Sequence, residues 1–353
     1  MSKRTLRLRV LLQRERLDGY ITSHPANLRY LCNYTGSNGL LLITRRGCWF
    51  YTDFRYDEQS RTEVVGCRRR VLKRDLFASL PESDAVGATR IGVEKEHITI
   101  AQLESLRRVL RKHRLVPGQD LVRELRRTKE PKEIKLLQQA QAVTDRVFKR
   151  VLGLVRPGVT EHELATEIDL AFRRAGGGSS FESIVASGPN GAKPHAGFTR
   201  RRLKNGDAVT FDIGCRLNGY CSDMTRTVFV GRARGELRVV YEIVLAAQER
   251  ALATIRPGVL AREVDAAARD YIKEAGYDQY FGHGLGHGIG LEVHERPVVA
   301  AVSADRLAPG DVFTVEPGVY LPGIGGVRIE DMVLVTQTGY VNLTRTPKRL
   351  MEI

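Results

Sequence analysis

Along the first third of the chain, short apolar runs alternate with turn-forming residues. GLLLITRRGCWFYTD (39–53) and ATRIGVE (88–94) read as strands, while SLRRVLRKHRL (105–115) spaces its leucines as a helix would. A longer helical pattern, RELRRTKEPKEIKLLQQAQAVTDRVFKRVL, follows from residue 123 to 152, and Pro131 suits a first-turn position in it. A chain of 353 residues is long enough for about two domains. The pattern therefore predicts a small α/β domain over 1–122 and a second domain over 123–353 that begins with the connecting helix.

The second domain repeats itself. VRPGVTEHELATEIDLAFRRAGG begins at Val155 and IRPGVLAREVDAAARDYIKEAGY at Ile255. Each has an apolar-Arg-Pro-Gly-Val start, then a helical stretch. Thr160 and Glu163 predict a capping box in the first copy, while Leu260 removes that device from the second. Further on, LKNGDAVTFDIG (203–214) aligns with LAPGDVFTVEPG (307–318), so Asp212 falls on Glu316. SDMTRTVFV and IEDMVLV both read as strands, and Asp223 falls on Glu330 after a small insertion.

Acidic residues within or beside apolar strands are costly to bury alone. Two related halves folded face to face bring all four carboxylates to one centre, where they repel unless protons or cations stand between them. Two divalent ions suit that charge. The run FGHGLGHGIGLEVHE (281–295) holds three of the chain's eight histidines among glycines that let backbone approach closely. With one imidazole from it, the predicted metal ligands are Asp212, Asp223, His287, Glu316 and Glu330. An oxygen-rich set with a single nitrogen favours Mn²⁺, with Co²⁺, Zn²⁺ or Fe²⁺ as alternatives, and disfavours structural zinc. Paired divalent ions acidify a water and polarise a carbonyl, which is hydrolytic chemistry. That chemistry still needs a proton carrier and an oxyanion donor. His195 in KPHAG and His294 in EVHE stand in suitable contexts, as approximate mates across the repeat.

GHGIGLEVHE, TVEPGVY, GIGGVRIEDM and the Asp212…Asp223 pair resemble the pita-bread metallopeptidases. That family includes methionine aminopeptidase, Xaa-Pro aminopeptidase, prolidase and the metal-free creatinase. HPANLRYLCNYTGSNGLLLI and WFYTDFRYDEQ are similar to the N-terminal domain of the proline-specific and creatinase members. The resemblance implies a creatinase-like α/β domain followed by a pseudo-two-fold pita-bread catalytic domain. Its five metal ligands fall on the five residues already named, with none substituted. It implies Glu316 as the proton-shuttling carboxylate, and His294 and His195 as partners of the substrate carbonyl. It also implies His283 and Arg328 as substrate-binding residues around the proline. Thr225 is expected to hydrogen-bond a ligand, and Asp331 to be solvated or to support one. Methionine aminopeptidase usually lacks the extra domain and creatinase lacks the carboxylates. What remains is an Xaa-Pro aminopeptidase-like hydrolase acting on peptides with proline at the second position, with Xaa-Pro dipeptidase as the alternative. A homodimer is implied as well. A non-enzymatic binding module of the same fold is a third reading, which the intact ligand set argues against.

Composition adds little to this and removes some classes. With 42% apolar and 27% charged residues, the chain reads as an ordinary globular protein. No run approaches ~18 uninterrupted apolar residues, so no membrane span is expected. Arginines interrupt the leucines of MSKRTLRLRVLLQRERLDGY, which therefore lacks a secretory h-region. Five cysteines without a C-x-x-C pair argue against a disulfide framework and for a reducing cytoplasm. The net charge of +15 lies wholly in residues 1–150, with 32 Lys and Arg against 17 Asp and Glu. Most of that excess lies on helix-like stretches with little aromatic interleaving, so it reads as solvated surface and nucleic acid is not the expected partner.

Overall fold

The computed structural model describes residues 2–73, 75–118 and 120–353. The chain forms two compact units, Met1–Arg126 and Arg127–Ile353.

The first unit contains α1 (Lys3–Arg14), β1 (Gly19–Thr22), α2 (Pro25–Cys32), β2 (Leu40–Thr44), β3 (Cys48–Asp53), α3 (Asp57–Glu63), β4 (Arg68–Leu72), β5 (Arg90–Glu94), α4 (Ile100–Val109) and β6 (Arg114–Gly118). Its six strands form one sheet in the order β4-β3-β2-β1-β5-β6. β1, β2 and β3 pair antiparallel, and β4, β5 and β6 join in parallel. The uninterrupted apolar run of β2 is buried throughout, as a strand covered on both faces must be. Leu42, Trp49, Ile91 and Leu106 belong to its core.

Two expectations change here. SLRRVLRKHRL is not one helix: α4 stops at Val109, and Arg114 and Leu115 start β6, paired with Arg90 and Ile91. Pairing with a buried neighbour overrides the leucine spacing. The cysteines are not all free either, since Cys48 and Cys67 form a disulfide. Parallel pairing of Trp49 with Arg68 brings the residues that precede them, Cys48 and Cys67, side by side, which a spacing of 19 residues does not reveal.

The helical pattern over 123–152 resolves into α5 (Leu121–Arg127) and α6 (Pro131–Leu152), so the boundary expected after residue 122 lies inside a helix. Pro131 opens α6 where an N–H would have no intrahelical partner, and Glu130 and Glu133 close a capping box around it.

The rest of the second unit runs α7 (Glu161–Arg174), β7 (Gly178–Ser179), β8 (Ile184–Ser187), β9 (Ala208–Ile213), β10 (Cys215–Leu217), β11 (Tyr220–Cys221), β12 (Met224–Phe229), α8 (Gly235–Thr254), α9 (Ala261–Glu274), β13 (Gly286–Gly288), β14 (Glu295–Val299), β15 (Val312–Val315), β16 (Gly318–Leu321), β17 (Gly325–Arg328), β18 (Asp331–Val335) and β19 (Tyr340–Asn342). Its sheets have the orders β12-β9-β8, β11-β10-β7, β14-β13-β15-β18-β19 and β16-β17.

The sequence repeat is a structural one. Gly158 N–H donates to Leu203 O at 2.9 Å and Gly258 N–H to Leu307 O at 2.8 Å. Single bridges join Thr160 to Arg202 and Leu260 to Arg306. Thr160 caps α7 in a capping box, whereas Leu260 makes no side-chain cap for α9. One core cluster includes Phe148, Ile168, Phe172, Phe211 and Val228, and another includes Val244, Val264, Ala268, Phe313 and Val333. Among the described residues no helix is long and apolar enough to cross a membrane.

Candidate active site

In each half the two acids sit at one end of an antiparallel strand pair. Asp212 lies near the end of β9, and Asp223 immediately precedes β12, whose Thr225 pairs with Asp212. In the second half Glu316 follows β15 and Glu330 precedes β18, whose Asp331 pairs with Val315. His287 is the middle residue of β13, at a register irregularity between His287 and Gly288. Its neighbour must be glycine, because a Cβ on Gly286 would stand 1.9 Å from Thr314 O.

These elements converge on a cavity of about 610 Å³. Asp212, Asp223, His287, Glu316 and Glu330 line it, as do His195, His283, His294 and Arg328, so the expected metal ligands, catalytic histidines and substrate-binding residues border the same space. That size suits a short peptide.

His287 Nε2 lies 3.3 Å from Glu316 Oε1 and 3.7 Å from Asp223 Oδ2. Thr314 Oγ1 donates to Glu316 Oε1 at 3.0 Å and accepts from His287 N–H at 3.1 Å. Thr225 Oγ1 donates to Glu330 Oε2 at 2.7 Å and accepts from Arg328 Nε at 3.1 Å. Arg328 also donates to Asp212, to Pro194 O at 3.0 Å and to Tyr320 Oη at 2.8 Å. Tyr320 Oη lies 2.9 Å from His283 Nε2, and His283 Nδ1 lies 2.8 Å from Gly284 O. A carbonyl can only accept, so Nδ1 carries the proton. Tyr320 then donates to Nε2 while accepting from Arg328. Burial pushes the His283 pKa down, in keeping with that neutral ring.

Electrostatics divides the acids. Burial, then neighbouring carboxylates, push Asp223 and Glu330 well above the usual carboxylate range. Burial also raises Asp212, against the opposing charge of Arg328. Burial favours the neutral form of Glu316 too, but the hydrogen bond and charge of His287 outweigh it and hold the carboxyl at about 2. Burial opposes charge on His287 as well, and Glu316 outweighs it, so its pKa is raised.

Asp212 Oδ1, Asp223 Oδ1 and Glu330 Oε1 are buried and accept no hydrogen bond from the described residues. An unsatisfied buried polar group costs about 1–3 kcal/mol, and more when charged. Three such oxygens in one cavity fit cations. Asp223, His287 and Glu330 already offer ligand atoms within 4.8 Å of one another. Asp212 is turned to Arg328 and Glu316 to His287.

Asp331 is neither solvated nor directed at the cavity. It is fully buried, paired with Arg226 at 2.7 Å and Lys348 at 3.2 Å, and accepts from Gln248 at 2.9 Å. Tyr320 and Thr314 were missed. Thr314 stands two residues before Glu316 and so shares its face of the strand, a usable signal. Tyr320 reaches Arg328 only because β16 folds back on β17, and apolar patterning does not reveal that pairing.

Residues 135–337 match metallopeptidase family M24, and residues 4–128 match the creatinase/prolidase N-terminal domain. The chain is 39% identical over 347 residues to the uncharacterized peptidase YqhT of Bacillus subtilis, covering 98% of each. Among solved structures, an Xaa-Pro dipeptidase from Bacillus anthracis superposes with a TM-score of 0.96 at 40% identity, covering 99% of each chain. An X-Pro aminopeptidase from Thermotoga maritima superposes with a TM-score of 0.89 at 32% identity, covering 98% of this chain and 100% of the other.

Proposed function

The chain belongs to metallopeptidase family M24, with a creatinase-type N-terminal domain before a pita-bread hydrolase domain, and from that premise we propose that it hydrolyses the X–Pro bond of short peptides. The three unpartnered buried carboxylate oxygens around His287 are the observation that carries this reading. Asp212, Asp223, His287, Glu316 and Glu330 would hold two divalent ions, with Mn²⁺ favoured by the oxygen-rich set. Ions held there acidify a water and polarise the scissile carbonyl.

The chain's own residues do the rest. Glu316, held ionised by its contact with His287, takes a proton from the attacking water and delivers it to the proline nitrogen. His195 and His294, both exposed into the cavity, donate to the carbonyl oxygen as it gains charge. Arg328 and His283, joined through Tyr320, would line the side that receives the proline.

The relatives bear such names as dipeptidase and aminopeptidase, and the aminopeptidase reading expected from the sequence gives ground. The higher identity to the Bacillus anthracis dipeptidase favours Xaa-Pro dipeptides as the preferred substrates. An X-Pro dipeptide and an X-Pro-Y tripeptide, each assayed with and without Mn²⁺, test this. Metal-dependent cleavage of the dipeptide alone is expected. Equal or faster cleavage of the tripeptide restores the aminopeptidase reading, and no metal-dependent cleavage of either ends the peptidase reading.

A further inference from the structure

Lys129 and Glu295 form an ion pair outside the acidic cluster, with Nζ 3.0 Å from Oε2 and both side chains 1% exposed. Desolvation cancels most of what such a buried pair gains, so its contribution to stability is small. What it holds in place is more informative.

Glu295 opens β14 directly after His294. Successive residues of an extended chain face opposite ways, and here His294 is exposed into the cavity while Glu295 is buried behind it. Fixing the Glu295 side chain therefore fixes the direction of His294. The same carboxylate accepts from Glu292 N–H at 3.2 Å. It also fills the space over Gly290, where a Cβ would meet Oε2 at 2.5 Å. The Glu295 backbone pairs with Gly288, next to His287. The loop from Gly288 to His294 is thus held at both ends, and the His287 and His294 rings beside it have centroids 4.4 Å apart. Lys129 is itself anchored, its Nζ donating to Arg127 O at 3.1 Å and its N–H to Gly310 O at 2.9 Å. The other half lacks this device, since His195 is followed by a buried alanine.

We propose that Lys129 and Glu295 are positioning residues that hold His294 against the reacting carbonyl. This rests on the X–Pro hydrolysis proposed above. The test compares Lys129→Met, Lys129→Arg and the double variant Lys129→Met with Glu295→Gln. The single Met variant leaves a carboxylate buried alone and loses both melting temperature and turnover. The double variant removes both charges and regains a melting temperature near the parent's. Its kcat on an X-Pro dipeptide stays about tenfold or more below the parent's with KM little changed, the usual scale for losing a group that orients a site residue. Amides of residues 288–294 exchange hydrogen faster in it than in the parent, and Lys129→Arg recovers part of the loss. A double variant with parent turnover and parent exchange in that loop overturns the proposal. A parent that cleaves no X-Pro peptide refutes the function instead, and the exchange measurement still decides whether the pair holds the loop.

Discussion

His287 stands 3.3 Å from Glu316, and the contact favours charge on both, raising the imidazole pKa and holding the carboxyl at about 2. In the proposed mechanism the base has to be ionised before it accepts a proton, and the contact with His287 holds Glu316 in that form. Glu316→Gln should keep the fold and much of the metal binding yet lose about 10²–10⁴-fold in turnover, read by steady-state kinetics beside a calorimetric Mn²⁺ titration. Activity within a few-fold of the parent excludes Glu316 as the proton carrier. Thr225 relays between Arg328 and Glu330, so Thr225→Val should weaken Mn²⁺ binding about 10–100-fold in the same titration while the chain still folds. The acids were legible in the sequence because each carboxylate has a mate in the other half, and His287 because it stands in the glycine-rich histidine run. Tyr320 has no mate that marks it. Asp331 looked much like Glu330 because the two are adjacent, yet strand alternation turns it toward Arg226, 105 residues away in the chain.

Among the elements, α7 and α9 are the same helix with different starts. Thr160 caps α7 and is answered by Glu163, while α9 has Leu260 at its N-cap, with Glu263 in place and no hydroxyl to complete the box. Leu260→Thr should therefore stabilise the second unit by about 1 kcal/mol, seen as a higher urea midpoint with an unchanged slope. A lower midpoint means the partly buried leucine matters more than the cap. The repeat made these helices readable from the residue order alone. Patterning failed where a partner strand decides the outcome. Arg114 and Leu115 left the α4 helix for β6, and Cys48 met Cys67 through the β3–β4 register. Both pairings depend on long-range contacts that leave no local trace in the sequence.

At the scale of the molecule the two units differ in charge and in how they meet pH. The first unit buries Glu94 beside Asp120. Asn27 donates to both, at 2.6 Å and 2.8 Å, and Arg126 donates to Asn27. Burial, then the Asp120 charge, push the Glu94 carboxyl up to about 7 from 4.5. The folded unit thus binds this proton more tightly than the unfolded chain. The contribution is complete below about pH 4.5 and is lost as pH rises through about 7. Melting curves across that window should show the first unit losing stability, and Glu94→Gln should flatten the trend. An identical slope in the variant assigns the loss to another group. The second unit gathers its acids where the proposed function would place cations. Diffraction from Mn²⁺-soaked crystals at a wavelength where manganese scatters anomalously tests that placement most directly. Two peaks enclosed by Asp212, Asp223, His287, Glu316 and Glu330 are expected, and their absence from that cavity, with the five side chains in place, contradicts the metal centre.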